Sequence, residues 1–283
     1  MPDTSETAYS YASVFSFPST GELEDALAQF IIKRQKEALH SYDKFTIALS
    51  GGSLPQRLAA LAKYPADEVF WDKWHVFYAD ERAVPLDHED SNHRLCTEHF
   101  FSKVSIPPNQ IHTIDASMLD DPESPELDME ELADRYEKLL IEEFANKNAV
   151  KFPKFDLILL GMGDDGHTAS LFPGHELLTE MDRWVAPIED SPKPPPKRIT
   201  FTLPVLNHAA AVAFVVAGGE KAGMIQTVIE HPKEGIPSSR VIPQPKKEKG
   251  MQSPKDGSPP KHLFFFLDDE ASSKLSHKDS FVL

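Results

Sequence analysis

The chain has 283 residues, 40% of them hydrophobic and 26% charged, so it carries enough apolar material for a large core and is neither a disordered nor a fibrous sequence. Its 29 Lys and Arg against 45 Asp and Glu give a formal net charge of −16, a surface that repels nucleic acid and anionic lipid alike. The longest apolar run, Ala209 to Gly219, falls well short of the roughly 20 residues of a membrane-spanning helix.

The acidic N-terminal segment, with Asp3, Glu6, Glu22 and Glu24, fits neither a secretory signal nor an Arg-rich transit peptide, and the expected location is the cytosol. Phe45 to Leu49 is an apolar run of strand length. It leads into Leu49-Ser-Gly-Gly-Ser-Leu-Pro-Gln56, where Ser53 and Gln56 have capping-box spacing and Pro55 suits a first helical turn. The glycines before that turn leave the backbone N–H groups of residues 51 to 53 uncovered, which makes a seat for phosphate at the positive end of a helix. The Lys-Ser/Thr pair of a Walker loop is absent.

A second run, Trp74 to Ala79, ends in Asp80-Glu81-Arg82. His88 and His93 follow in an acidic loop that reads as solvated, since no third ligand spacing supports a metal. Cys96, the one cysteine, cannot form an internal disulfide and reads as a small core residue of a protein in a reducing compartment. Asp115 to Asp128 reads as an acidic surface loop. Met129 to Asn146 then places Leu132, Tyr136, Leu139, Leu140 and Phe144 at the spacing of an amphipathic, sheet-covering helix.

Phe155 to Leu160 is a third strand-like run, followed by Gly161-Met-Gly163-Asp-Asp-Gly166. The string fits a dinucleotide fingerprint in form only, because Asp164 and Asp165 would point negative charge at a pyrophosphate. His167 comes next, at the expected mouth of a helix over Thr168 to Phe172. A histidine with an ordinary pKa near 6.5 accepts a proton at neutral pH, and a neighbouring carboxylate, here Asp165, can orient it. Ser191-Pro-Lys-Pro-Pro-Pro-Lys-Arg198 is a stiff strip carrying basic heads. Ala211 to Ala217 is a fourth strand, leading to Gly218, Gly219 and Lys221. Pro243 to Lys261 reads as a flexible surface insertion, His262 to Leu267 as a buried strand, and Asp268 to Leu275 as a last helix.

Nine of the 13 glycines fall in the three clusters that follow strands. Near-continuous apolar strands alternating with helices predict an α/β fold with a mostly parallel sheet covered by helices on both faces and right-handed crossovers, while length alone leaves one or two domains open. Ligands of such sheets bind beyond the carboxyl ends of the strands, so the four strand-end loops predict one site. Arg82, Arg198 and Lys221 would supply the positive island that an acidic protein needs to hold a phosphate monoester.

Ser50-Gly-Gly-Ser53, Asp80-Glu-Arg82-Ala-Val-Pro85 with Asp90-Ser-Asn92, the string from Gly161 to Gly174, Pro194 to Thr200 and Gly218-Gly-Glu-Lys221 together resemble the glucosamine-6-phosphate isomerase/6-phosphogluconolactonase family, on its lactonase side. The resemblance implies a single modified Rossmann-like α/β domain over 1–283 that hydrolyses 6-phospho-D-glucono-1,5-lactone to 6-phosphogluconate, the second step of the oxidative pentose phosphate pathway. It makes His167 the general base, oriented by Asp165. Gly51, Gly52, Ser53, Asp80, Arg82, Arg198 and Lys221 would line the phosphate and sugar site. No cofactor and no metal are implied; the partner is the small-molecule substrate, and a transient contact with the upstream glucose-6-phosphate dehydrogenase stays open.

An aldose–ketose isomerase or deaminase on the same scaffold is the alternative, with Asp80 as its proton shuttle. A non-catalytic sugar-phosphate sensor is disfavoured by His167 and by the lack of a recognition helix. A serine esterase is disfavoured because the G-x-S-x-G turn does not occur.

Overall fold

A computed structural model describes residues 11–119, 127–145, 150–233, 235–244 and 261–282. In chain order the elements are β1 (Ala12–Phe17), α1 (Thr20–Ser41), β2 (Phe45–Leu49), α2 (Leu54–Leu58), β3 (Trp74–Tyr78), β4 (Asp80–Arg82), α3 (Asn92–His99) and α4 (Met129–Phe144). They continue with β5 (Leu157–Leu160), β6 (Val185–Ile188), β7 (Arg198–Phe201), α5 (Leu203–His208), β8 (Val212–Val216), α6 (Ala222–Glu230) and β9 (Leu263–Asp268). Short 3-10 turns join several of them.

Six strands form one sheet in the order β1-β9-β8-β5-β2-β3, every neighbouring pair parallel. β2, β5 and β8 are buried along their whole length, as strands covered on both faces must be. Alternate residues feed two separate cores. Ile47, Leu49, Leu157, Leu159 and Val215 pack with α1, α2 and Cys96 of α3, while Ala48, Ile158, Leu160 and Phe214 pack with α4, α5 and α6. Each fully buried Leu or Phe contributes about 1.5–3 kcal/mol by leaving water.

The helices begin where their caps dictate. Ser19 accepts from the Glu22 N–H at 3.2 Å, Ser91 from Arg94 at 3.3 Å and Asp128 from Glu131 at 3.0 Å. On α4, Leu132, Tyr136 and Leu140 are buried, and Leu139 and Phe144 pack against the same core, as the spacing predicted.

Three local expectations are corrected. Ser53 takes helical backbone angles and makes no cap hydrogen bond, so the spacing to Gln56 is not a capping box, and α2 spans five residues only. Residues 168 to 172 form a tight hairpin instead of a helix: Thr168 and Leu171 exchange backbone hydrogen bonds, and Ala169 sits at φ 48°. The Ser170 hydroxyl and N–H are drawn away to Asp80 and Thr200, which competes with helical bonding. In place of the last helix expected over Asp268 to Leu275, Asp268 ends β9 and a series of turns follows, because the Asp268 carboxylate bonds the N–H groups of Gly218 and Ala271, and the Ser272 and Ser273 hydroxyls bond locally.

The small second sheet was not foreseen. β4 leaves the end of β3 and pairs antiparallel with β7, which pairs with β6. Residues 120–126 of the expected acidic loop Asp115 to Asp128, and residues 245–260 of the expected insertion over 243–261, lie outside the described residues.

Candidate active site

From β2 the chain crosses to β3 on one side and later returns through β5 on the other. This reversal opens a crevice at the carboxyl ends of β2 and β5, the place where open α/β sheets bind ligands. An open cleft of about 410 Å3 occupies it. Gly51, Gly52, Ser53, Asp80, Arg82, His167, Arg198 and Lys221 all line this cleft, so the four strand-end loops converge as the sequence predicted. Asp165 lies behind the imidazole.

His167 owes its position to the loop after β5. The Gly163 N–H donates to the His167 carbonyl at 2.9 Å and the Gly166 N–H to the Gly163 carbonyl at 3.1 Å, which closes a compact turn. A Cβ on Gly163 would lie 2.1 Å from His167 Nδ1, so the close approach requires glycine. One oxygen of Asp165 accepts from the His167 backbone N–H at 3.0 Å and stands 2.5 Å from its Nδ1. Burial lowers the His167 pKa below its ordinary value, opposed by Asp165. For Asp165 burial acts upward, and the bonds from His167 outweigh it, so its carboxyl titrates below the usual range. The pair is therefore carboxylate and neutral imidazole at neutral pH, with Nδ1–H directed to Asp165 and the Nε2 lone pair available.

The cationic side is built by the small sheet. Arg82 on β4 stands directly opposite Arg198 on β7. Like charges in this cross-strand relation repel, and an anion between them removes the repulsion. Arg82 donates from Nη1 to the Asp90 carbonyl at 3.0 Å, and its Nε has no partner among the described residues.

Arg198 is almost wholly buried, and its guanidinium bonds the carbonyls of Lys193, Pro194 and Pro195 at 2.8–3.0 Å. Burial, then the charge of Arg82, lowers its pKa. Arg198 thus braces the 193–195 segment as well as lining the cleft. The His167 ring and the Arg198 guanidinium both lie against Phe172, 4.7 Å and 5.7 Å from its ring centroid, so base and cation share one short wall.

Lys221 donates to the Met162 carbonyl at 2.8 Å. Asp80 is buried, accepts from the Ser170 hydroxyl at 2.8 Å, and its carbonyl takes the Asn92 amide at 2.8 Å.

Two contributors escaped the sequence reading. Lys193 lines the cleft and pairs with Asp164 at 2.6 Å, yet in the sequence it was one of several bases on a proline strip. Glu81 sits beneath the loop, buried, accepting from the N–H groups of Arg82, Asn92 and His93 at 2.8–2.9 Å. Burial raises its pKa to about 7 against those bonds. Its place between Asp80 and Arg82 was the available signal. His88 and His93 bond to Asp90 and to the Tyr78 hydroxyl and stay out of the cleft.

The fold and cleft define a doubly wound α/β protein with a carboxylate-backed histidine facing paired arginines. Residues 18–251 match the family model described as glucosamine-6-phosphate isomerases/6-phosphogluconolactonase. A probable 6-phosphogluconolactonase of Schizosaccharomyces pombe is 44% identical over 93% of this chain and 96% of its own length, and the 6-phosphogluconolactonase of Rattus norvegicus is 40% identical over 93% of each. Among solved structures, 6-phosphogluconolactonase from Trypanosoma cruzi superposes with a TM-score of 0.76 at 26% identity, covering 95% of this chain and 98% of that one. The chain belongs to the glucosamine-6-phosphate isomerase/6-phosphogluconolactonase family, alongside its 6-phosphogluconolactonases. Among the described residues no helix is long and apolar enough to cross a membrane.

Proposed function

We propose that this chain hydrolyses 6-phospho-D-glucono-1,5-lactone to 6-phosphogluconate in the oxidative pentose phosphate pathway. The observation that carries the reading is the His167–Asp165 pair in the same cleft as the opposed Arg82 and Arg198. A phosphate monoester held by Arg82, Lys221 and the loop at 51 to 53 places the lactone carbonyl toward the imidazole. His167 Nε2 takes a proton from water as the oxygen attacks C1, and Asp165 stabilises the imidazolium. Arginine and backbone N–H donors steady the oxyanion. When the C1–O bond breaks, the imidazolium returns its proton to the departing ring oxygen, which leaves an open-chain acid and a neutral base.

The isomerase or deaminase alternative needs a carboxylate able to reach C1 and C2. Asp80 is buried and committed to the Ser170 hydroxyl, which favours a supporting role. The test is acid release from freshly prepared 6-phosphogluconolactone by the purified chain, run beside ammonia release from glucosamine 6-phosphate. Acid release well above the spontaneous rate, without ammonia, is expected; ammonia release without lactonase activity would overturn the reading.

A further inference from the structure

The opposite end of the sheet holds a second cluster of side chains that the cleft does not use. His75 is the second residue of β3, roughly 16 Å along the strand from the cleft. His112 follows Ile111, which bridges to Val76, and Glu143 lies in the last turn of α4. His112 is held firmly: its backbone N–H donates to the Val76 carbonyl at 2.8 Å, and its ring stacks on Phe77 with centroids 4.3 Å apart.

His112 Nε2 lies 3.4 Å from His75 Nδ1, and that Nδ1 lies 3.4 Å from Glu143 Oε1. The donor atoms of all three residues fall within 4.8 Å of one another. In a tetrahedral site with metal–nitrogen bonds of about 2.0–2.1 Å, neighbouring donors stand about 3.4 Å apart, the edge of the tetrahedron. We propose that His75, His112 and Glu143 bind one divalent transition metal ion of the Zn2+ type, at the sheet edge remote from the cleft. Two imidazoles and one carboxylate are a Zn2+ donor set, with the fourth position left for water.

The electrostatics agree. Burial lowers the His112 pKa to about 4, so its ring is neutral with a lone pair to give at neutral pH. Hydrogen bonding to His75, with Lys44, holds the Glu143 carboxyl at about 2, so it is ionised. The Lys44 ammonium pairs with Glu143 Oε1 and donates to the Glu143 carbonyl at 3.3 Å. Lys44 is therefore the cation that balances the carboxylate, and a metal must compete with it. Its flexible stem lets it withdraw. β3 is an edge strand, so the ion would tie that edge to α4 and act on stability, leaving turnover at the cleft unchanged.

The experiment titrates the chelator-treated full chain with Co2+, followed by the visible bands of four-coordinate Co2+, with Zn2+ as displacer and thermal unfolding in parallel. One Co2+ per chain, displaced by Zn2+, is expected, with a Zn2+-dependent rise in Tm. His75→Gln and Glu143→Gln should each weaken binding at least about tenfold. Lys44→Met should tighten it, an effect that loss of folding cannot imitate, and His167→Asn should leave it unchanged. Absence of both the Co2+ bands and the Tm shift would overturn the proposal. So would binding that survives His75→Gln and Glu143→Gln, or is lost in His167→Asn.

Discussion

Nδ1 of His167 lies 2.5 Å from Oδ1 of Asp165, and the same oxygen takes the His167 backbone N–H at 3.0 Å. One carboxylate oxygen thus fixes both the ring orientation and its tautomer, which leaves Nε2 as the ring nitrogen available to accept a proton. Asp165→Asn should cost about a hundredfold or more in kcat, approaching the whole contribution of a general base, with KM little changed.

The same variant should move the acid limb of the pH–rate profile. Activity requires neutral imidazole, so it falls as pH drops through the His167 pKa. Burial lowers that pKa below its ordinary value and Asp165 raises it. Removing the carboxylate charge lets burial act with less opposition, and the acid limb should shift to lower pH as kcat falls. Its movement to higher pH in a steady-state profile would show that Asp165 does not stabilise the imidazolium.

Arg82→Ala should chiefly raise KM, by about tenfold to a hundredfold, the value of one or two hydrogen bonds to a charged group. The loss should be far smaller for the unphosphorylated lactone. Equal losses on both lactones, measured as kcat/KM, would remove Arg82 from the phosphate site.

Glu81 supplies a stability prediction. Its folded pKa of about 7 lies above the ordinary value, so the fold favours the protonated form. Its contribution is complete at pH below about 4.5 and is lost as pH rises through 7, by up to about 3 kcal/mol. Glu81→Gln stays neutral at every pH. The difference between the wild-type and variant unfolding free energies, followed by denaturant titration from pH 5 to 8, should drift against the wild type. A flat difference would show that the three backbone N–H bonds outweigh burial.

The sequence made the parallel sheet legible because β2, β3, β5 and β8 are continuous apolar runs, each ending in glycine or charge. It made the site legible because all four of those ends point the same way. The hairpin at 168 to 172 was hidden, since Ala169 at φ 48° and the Ser170–Asp80 bond depend on partners far along the chain. The small sheet was hidden for a similar reason. Asp-Glu-Arg reads as a loop, and only its pairing with residues 198 to 200 makes it a strand. Lys193 reaches the cleft because Arg198 grips the carbonyls of residues 193 to 195, a contact no local pattern encodes.

The most direct test is single-turnover and steady-state kinetics of His167→Asn on 6-phosphogluconolactone. Asparagine keeps a polar side chain of similar reach and has no basic nitrogen. We predict kcat about 10²–10⁴-fold lower with the affinity for 6-phosphogluconate retained. Wild-type turnover in a folded His167→Asn protein would contradict the account.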